Sequence, residues 1–396
     1  GSGKTMVAAA CVYVAARNGR QAALMAPTEI LARPHYETLS PLLEPLGLRC
    51  ALLTGSTGVK AKRETNAALA AGDIDLAIGT HALLTGTVTF RDLGLVVTDE
   101  QHRFGVAQRA ALAEKGLHPH TLVMSATPIP RTLALILYGD LDVSLIDELP
   151  PGRQPIETFA VPGSYRPRIY AFLRKHIAQG RQAYIVCPMV ESGEEGGEDA
   201  KAVKDYAQQL QKEVFPDLRV AFVHGKMKPK EKEAVMAAFA AGETDLLVST
   251  TVIEVGVDVP NAAVMVVENA ERCGLSQLHQ LRGRVGRGKH QSYCILISDN
   301  QNEETRQRLK ILTKTNDGFR LAEEDLRLRG PGDFFGVRQH GLPGLRVADL
   351  GCDAQLLQSA QKSAEALLAG DPELAHSPAL RDRVAELFAR NAETMN

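Results

Sequence analysis

The sequence predicts an α/β protein made of two tandem, mostly parallel sheets followed by a helical C-terminal region. Three observations carry this. Apolar strand-like runs alternate with helical patterns twice over. A stiff segment, Asp147-Glu148-Leu149-Pro150-Pro151-Gly152-Arg153-Gln154-Pro155, separates the two runs. From Glu303 onward the pattern is helical, apart from a Gly/Pro-rich stretch at 330–344. With 396 residues the chain exceeds one ordinary core, and its divisions read as 1–147, a linker at 148–155, 156–298 and 299–396.

The first block opens on Gly1-Ser2-Gly3-Lys4-Thr5, the second half of the pattern G-x-x-x-x-G-K-[ST]. In that loop backbone N–H groups cradle phosphates, the lysine (Lys4) reaches the β- and γ-phosphates, and the hydroxyl (Thr5) holds Mg²⁺. The leading glycine would lie before residue 1, so the sequence is expected to belong to a longer chain. A short Gly/Ser run is by itself more often a linker, and its surroundings decide the matter. Residues 4–17 read as a helix closed by Asn18-Gly19, which places the loop at a helix N-terminus. Strands follow at 21–25, 50–53, 75–78, 95–98 and 121–124.

Two of these strands end on reactive residues. Leu95-Val96-Val97-Thr98-Asp99-Glu100-Gln101-His102 sets two carboxylates at the C-terminal edge of a parallel sheet, where ligands bind in such folds. Asp99 suits Mg²⁺, and Glu100 suits positioning and deprotonating a water. A strand running into an acidic helix start would look the same, and the phosphate loop tips the balance. His102 extends the pattern toward the γ-phosphate. The strand at 121–124 ends in Ser125-Ala126-Thr127-Pro128, either a polar turn or a relay of nucleotide state through Ser125 and Thr127.

In the second block strands read at 184–187, 220–223, 246–248, 264–267 and 293–297, and the acidic 191–199 reads as a solvated loop. Ser249-Thr250-Thr251 through Gly256-Val257-Asp258 follows a strand. Its hydroxyls (Thr250, Thr251) suit nucleic-acid phosphates, and its acids suit ribose or arginine partners. Gln280-Leu281-Arg282-Gly283-Arg284-Val285-Gly286-Arg287-Gly288 alternates cations with glycines. Phosphoryl transfer needs cations at the γ-phosphate, and Arg284 and Arg287 match the carboxylates of the first block. The alternative is a loop that only touches nucleic-acid phosphates. The clusters Lys60/Lys62/Arg63 and Lys226/Lys228/Lys230/Lys232 are ordinarily solvated faces, though His224-Gly225 ahead of the second favours binding there. Two helices, near 354–368 and 378–391, close the chain.

Composition sets limits. A 44% hydrophobic and 23% charged chain without a membrane-length apolar run reads as soluble and globular. Six scattered cysteines fit reduced thiols in a cytoplasmic protein. A net charge of −2 confines any nucleic-acid binding to local patches, and absent Trp with 5% aromatics argues against extensive base stacking. The eleven histidines show no metal-ligand spacing.

Phosphate loop, DEQH, SATP and QLRGRVGR in this order resemble the superfamily-two helicases and translocases. Within them the chain is similar to the bacterial branch-migration helicases through 99–106 (DEQHRFGV), 126–133 (ATPIPRTL), 147–153 (DELPPGR) and 250–261 (TTVIEVGVDVPN). The resemblance implies two RecA-like domains of the P-loop NTPase type with ATP and Mg²⁺ as cofactors. It implies catalysis by Asp99, Glu100, Gln280, Arg284 and Arg287, and nucleotide contacts from Gly1, Ser2, Gly3, Lys4, Thr5, His102, Gly256 and Asp258. DNA contact or coupling falls to Pro27 and Thr28 (segment Ia), Thr80, Ser125, Thr127, His224, Thr250 and Thr251. Arg329, Arg338 and Gln339 match the translocation hairpin-and-loop motif.

The expected activity is ATP-driven translocation on double-stranded DNA that remodels forks, Holliday junctions and R-loops. The expected protein is a monomer in the bacterial cytoplasm at the nucleoid, with branched DNA and single-stranded DNA-binding protein as partners and no membrane contact. A transcription-repair coupling translocase and a nucleotide-dependent DNA clamp without turnover are the alternatives. Residues 1–396 alone are expected to aggregate and to be nearly inactive, because a central strand and the first half of the phosphate loop would lie upstream.

Overall fold

A computed structural model describes residues 2–100, 111–125, 142–146, 148, 153–188, 197–250, 259–329 and 354–394. The first block is a five-stranded sheet of β1 (Gln21–Met25), β2 (Cys50–Leu53), β3 (Leu76–Gly79), β4 (Leu93–Asp99) and β5 (His120–Met124), in the order β2-β3-β1-β4-β5. Every pairing is parallel. Parallel strands need crossovers: helix α1 (Lys4–Arg17) leads into β1, and α2 (Glu29–Leu43) and α3 (Val59–Ala71) make the crossovers from β1 to β2 and from β2 to β3. The two-residue period of a strand divides β1 between two cores. Ala22 and Leu24 join Ala8 and Val12 of α1 with Leu39 of α2. Ala23 and Met25 join Leu69 of α3 and Leu83. Covered on both faces, β1 is buried along its whole length, which is why its sequence is a continuous apolar run.

The second block is a six-stranded sheet, ordered β6-β11-β10-β7-β9-β8 and again all parallel. Its strands are β6 (Glu157–Val161), β7 (Gln182–Val186), β8 (Val220–Val223), β9 (Leu246–Ser249), β10 (Ala262–Val267) and β11 (Tyr293–Ile297). Ile169, Leu173 and Ile177 of α4 (Arg166–Ala178) and Val203 and Ala207 of α5 (Gly197–Gln209) cover Ile185, Val248 and Val266. Helix α6 (Pro229–Ala240) connects β8 to β9.

Strand β6 is the element the sequence did not reveal. It pairs with β11 at the sheet edge, and Phe159 on it is 47% exposed. An edge strand with little burial needs no apolar run, so Glu157-Thr158-Phe159-Ala160-Val161 carries no strong signal.

The two sheets share a plan that was also missed. Gly19-Arg20-Gln21-Ala22 leads into β1, and Gly180-Arg181-Gln182-Ala183 leads into β7. Both glycines sit at positive φ, +73° and +78°, where a side chain would be strained. Gln21 Nε2 donates to the carbonyls of Leu69 (3.0 Å) and Ile74 (2.8 Å). Gln182 Nε2 donates likewise to Phe239 (2.6 Å) and Thr244 (2.7 Å). Asp75 Oδ2 accepts from Arg49 N at 2.7 Å, and Asp245 Oδ2 from Arg219 N at 2.8 Å. Each block thus clasps its inner strand to the turn that follows a covering helix. Gln182→Ala removes the side-chain donor of the Thr244 carbonyl, at about 1–3 kcal/mol, while the Phe239 carbonyl keeps the N–H of Gly242. A clearly lower melting temperature is expected for it and for Gln21→Ala. An unchanged melt of both would show that the clasp contributes nothing.

The C-terminal helices are α8 (Glu303–Lys314), α9 (Gly318–Arg329), α10 (Ala354–Gly370) and α11 (Pro378–Thr394). Asn302 caps α8 by accepting from Glu304 N at 3.2 Å. Packing divides the chain into two compact units, Gly1–Thr127 with Ile146–Asn316, and Pro128–Leu145 with Asp317–Asn396. Among the described residues no helix is long and apolar enough to cross a membrane.

Candidate nucleotide and nucleic-acid site

Helix α1 begins as the phosphate-loop reading expects. Gly3 precedes it at φ +95°, and its carbonyl accepts from Met6 N at 2.9 Å. No side chain caps this end, the first turn holds no acid, and Lys4 and Thr5 are half-buried there. Free N–H groups, the positive end of the helix dipole and a lysine make an anion site. Helix α1 packs on β1 and β4, the strand that carries the carboxylates.

Asp99 is the last residue of β4 and is 8% exposed. Its Oδ1 accepts from the backbone N–H of Glu100 at 3.0 Å. Its Oδ2 lies 2.8 Å from His35 Nε2 on α2. Glu100 turns the chain out of the strand at φ +52°, a left-handed conformation that costs a non-glycine residue energy. Such strain at a strand end is characteristic of functional positions.

The other described candidates of the first block fall on the same edge. Pro27 and Thr28 follow β1, Thr80 follows β3, and Ser125 follows β5. Strands β1 to β5 are parallel, so these residues and Asp99 share the C-terminal edge of one sheet. Thr28 is the N-cap residue of α2, yet its hydroxyl makes no capping bond. Its Oγ1 is buried without a hydrogen-bond partner among the described residues. Gly79, just before Thr80, admits no side chain, since a Cβ would lie 2.1 Å from the Leu53 carbonyl oxygen.

The second sheet repeats this edge. His224 follows β8 and Thr250 follows β9. Thr250 is fully buried, and its Oγ1 and His224 Nδ1 lack partners among the described residues. Burial, with the charge of Lys232, holds the His224 imidazole below its ordinary value. Buried polar atoms without partners are uncommon in proteins, and three of those here, on Thr28, His224 and Thr250, lie where ligands bind parallel sheets.

The arginine loop follows α7 (Leu275–Arg282). Its arginines separate by role. Arg282 is 2% exposed, and its guanidinium donates to the carbonyls of Leu312 (2.9 Å) and Thr315 (2.8 Å), tying α7 to the end of α8. Arg284 and Arg287 are half-exposed, as is Gln280. Arg287 Nε donates to Gly283 O at 3.1 Å, which closes the loop on itself. Gly286 lies between them at φ +75°, and a Cβ there would meet Ile156 at 2.8 Å. Arg153 Nε donates to the Gly286 carbonyl at 3.0 Å, so the end of the Pro/Gly segment steadies the loop. Arg282→Ala is expected to destabilise the fold, since two carbonyls lose their donor at about 1–3 kcal/mol each. Thermal unfolding checks this, and a wild-type melt would contradict the structural role.

Several expected residues lie outside the described ones: Gly1, His102, Thr127, Thr251, Gly256, Asp258, Arg338 and Gln339. Arg329 ends α9, and its side chain is likewise outside the description. His35 was missed by sequence reasoning because a lone histidine inside a helix carries no spacing signal. Arg153 sits in the Pro/Gly linker, where no local pattern marks its contact to the loop.

Three family models match in chain order. They are the DEAD/DEAH box helicase over residues 1–136, the helicase conserved C-terminal domain over 168–289, and "ATP-dependent DNA helicase RecG, domain 3, C-terminal" over 315–387. The ATP-dependent DNA helicase RecG of Synechocystis is 52% identical over 390 residues, which are 98% of this chain and 47% of that protein. That of Bacillus subtilis is 49% identical, over 100% of this chain and 58% of its own length. A solved structure of RecG bound to a three-way DNA junction superposes with a TM-score of 0.74 at 47% identity, covering 90% of this chain and 46% of that one. A Saccharomyces cerevisiae Dbp5 structure, 15% identical with a TM-score of 0.57, shares the fold alone. The chain therefore belongs to the RecG family of ATP-dependent DNA helicases, and it spans about half the length of these relatives.

Proposed function

We propose that this chain is the motor of an ATP-dependent double-stranded DNA translocase that remodels branched DNA in repair and recombination. The observation that carries the reading is the end of β4. A buried aspartate is followed by a glutamate in a strained left-handed conformation, on the sheet edge next to an open helix N-terminus. Lys4 and the N–H groups of α1 bind the phosphates. Glu100 holds and deprotonates the attacking water. Arg284 and Arg287, with Gln280 beside them, act on the transferring phosphoryl group.

The donors present fit Mg²⁺. The Asp99 carboxylate is buried, and each of its oxygens keeps acceptor capacity beyond the one hydrogen bond described. The Thr5 hydroxyl adds a second hard oxygen, and Mg²⁺ is usually held by one or two such ligands together with phosphates and water. When bound, the ion neutralises phosphate charge.

Residues 1–147 and 156–298 form the two RecA-like halves, and 299–396 carry the coupling segment. The unpartnered hydroxyls of Thr28 and Thr250 and the ring of His224 support contacts to DNA phosphates, which Pro27, Thr80 and Ser125 extend along the edge. The relative bound to a three-way junction supports branched DNA as the substrate. Its bacterial kin support a cytoplasmic, nucleoid-associated protein.

ATP turnover by the whole protein, measured with three-way junction, linear duplex and no DNA, tests this. Strong stimulation by the junction is expected. Turnover indifferent to DNA would overturn it.

A further inference from the structure

We infer that His35 is a positioning residue that couples the nucleic-acid edge of the first sheet to the nucleotide carboxylate. The inference rests on the reading of Asp99 as the Mg²⁺-holding residue. On α2, Ala32, Leu39, Ser40 and Leu43 are the buried residues. Helical spacing puts position 35 on that same stripe, between Ala32 and Leu39. A leucine would serve packing there. The chain instead places an imidazole whose side chain is only 12% exposed, against a carboxylate also 12% exposed. An ionised carboxylate can only accept, so Nε2 carries the proton in the 2.8 Å bond to Asp99 Oδ2. Burying a polar ring costs free energy unless it is hydrogen-bonded, so this bond decides the ring's place.

The other oxygen of Asp99 is fixed by Glu100 N. His35 therefore sets the rotation of the carboxylate, and with it the direction of the lone pairs left for a cation. Partners of this kind commonly govern metal affinity by orienting the ligand.

The same helix carries Thr28 at its start. Seven residues at about 1.5 Å rise separate Thr28 from His35, roughly 10 Å of continuous helix. Glu29, in the first turn, hydrogen-bonds Ser56 and pairs with Arg33. Burial pushes the Glu29 carboxyl up, but the hydrogen bonds from Ser56 and Thr54 and the charge of Arg33 outweigh it and hold it below its ordinary value. Pro34, next to His35, has no N–H to give the carbonyl of Ile30, so the helix is weakened beside the ring, as it is again at Pro41. A phosphate held by the buried, unpartnered hydroxyl of Thr28 shifts the start of α2. The bond from His35 carries that shift to Asp99. Nucleic acid bound at the edge thereby adjusts the carboxylate before any domain motion.

The test uses the whole protein and a fluorescent ADP analogue, with Mg²⁺ and with EDTA. His35→Leu fills the stripe and removes the donor, His35→Gln retains an N–H that reaches Asp99, and His35→Asn is polar but too short. Leu and Asn are expected to weaken Mg²⁺-dependent nucleotide binding by about tenfold. They should leave binding in EDTA unchanged and lose a similar factor of duplex stimulation of turnover. Gln should restore both. Wild-type Mg²⁺ dependence in Leu or Asn, or equal losses in all three variants, overturns the inference. So does a fall in melting temperature without a change in Mg²⁺ dependence. Should Leu fail to fold, the Asn and Gln pair decides. Asp99→Ala separates the two claims. If it keeps Mg²⁺-dependent binding, the reading of Asp99 itself fails. If it loses that binding while the His35 variants keep it, only the coupling fails.

Discussion

Glu100→Gln is expected to abolish ATP turnover in the whole protein while ATP still binds. The side chain follows a buried aspartate at the end of β4, on the sheet edge that parallel folds use for ligands. Glutamine keeps the size and polarity of the glutamate and loses the base. Removing a general base lowers the rate by about 10²–10⁴. In the proposed site, phosphate binding falls to Lys4 and the start of α1, which the substitution leaves intact. The backbone provides a second arm. Glu100 holds φ +52°, so Glu100→Gly relieves about 1 kcal/mol of left-handed strain and removes the carboxylate as well. That variant should melt no lower than wild type and be as inactive as Glu100→Gln. Both variants are compared by steady-state turnover, equilibrium ATP binding and thermal melt. Wild-type turnover in either one removes Glu100 from the chemistry.

Arg287→Ala and Arg284→Ala are expected to reduce kcat far more than ATP affinity. A cation that meets charge developing on the transferring phosphoryl group contributes mostly in the transition state, and such arginines account for about 10³–10⁵ in rate. The loop geometry suits this role. Gly286 at φ +75° turns the chain between the two arginines, Arg153 holds the Gly286 carbonyl, and Arg287 braces on Gly283. Arg282 in the same motif serves as an internal control, since its guanidinium is spent on Leu312 and Thr315. Arg282→Ala should therefore lower the melting temperature more than Arg284→Ala or Arg287→Ala does. If the latter two lose only DNA affinity at unchanged basal turnover, the loop is a phosphate contact and the chemical role is wrong.

Much of this was legible in the sequence. Helix α1 spans Lys4–Arg17 as its Asn18-Gly19 ending predicts. Strands β1, β2, β8 and β11 fall on the expected residues; β1 and β11 are buried nearly throughout, and the edge strands β2 and β8, though half-buried, still carry unbroken apolar runs. Apart from β6, the others differ by one or two residues at one or both ends, as β4 does by beginning at Leu93 and ending on Asp99. Edge position hid β6, whose exposed residues show no apolar run. The shared Gly-Arg-Gln-Ala lead-ins of β1 and β7 are 161 residues apart, and their meaning emerges only once Gln21 and Gln182 are seen making the same bonds. In the site, residue type and spacing pointed to Asp99, Glu100 and the arginine loop. They could not separate Arg282 from Arg284 and Arg287, because burial distinguishes them and all three read alike. His35 and Arg153 act through contacts to residues 64 and 133 positions away, which no local pattern records.

Displacement of a third strand from duplex DNA tests the central claim most directly, because a protein that moves along a duplex must strip a bound triplex strand ahead of it. The whole protein is expected to release the strand when supplied with Mg²⁺ and ATP, and to leave it in place with a non-hydrolysable analogue or with the Glu100→Gln substitution. DNA-stimulated ATP hydrolysis without strand release would contradict translocation, and DNA binding with neither hydrolysis nor strand release would identify the nucleotide-dependent clamp without turnover.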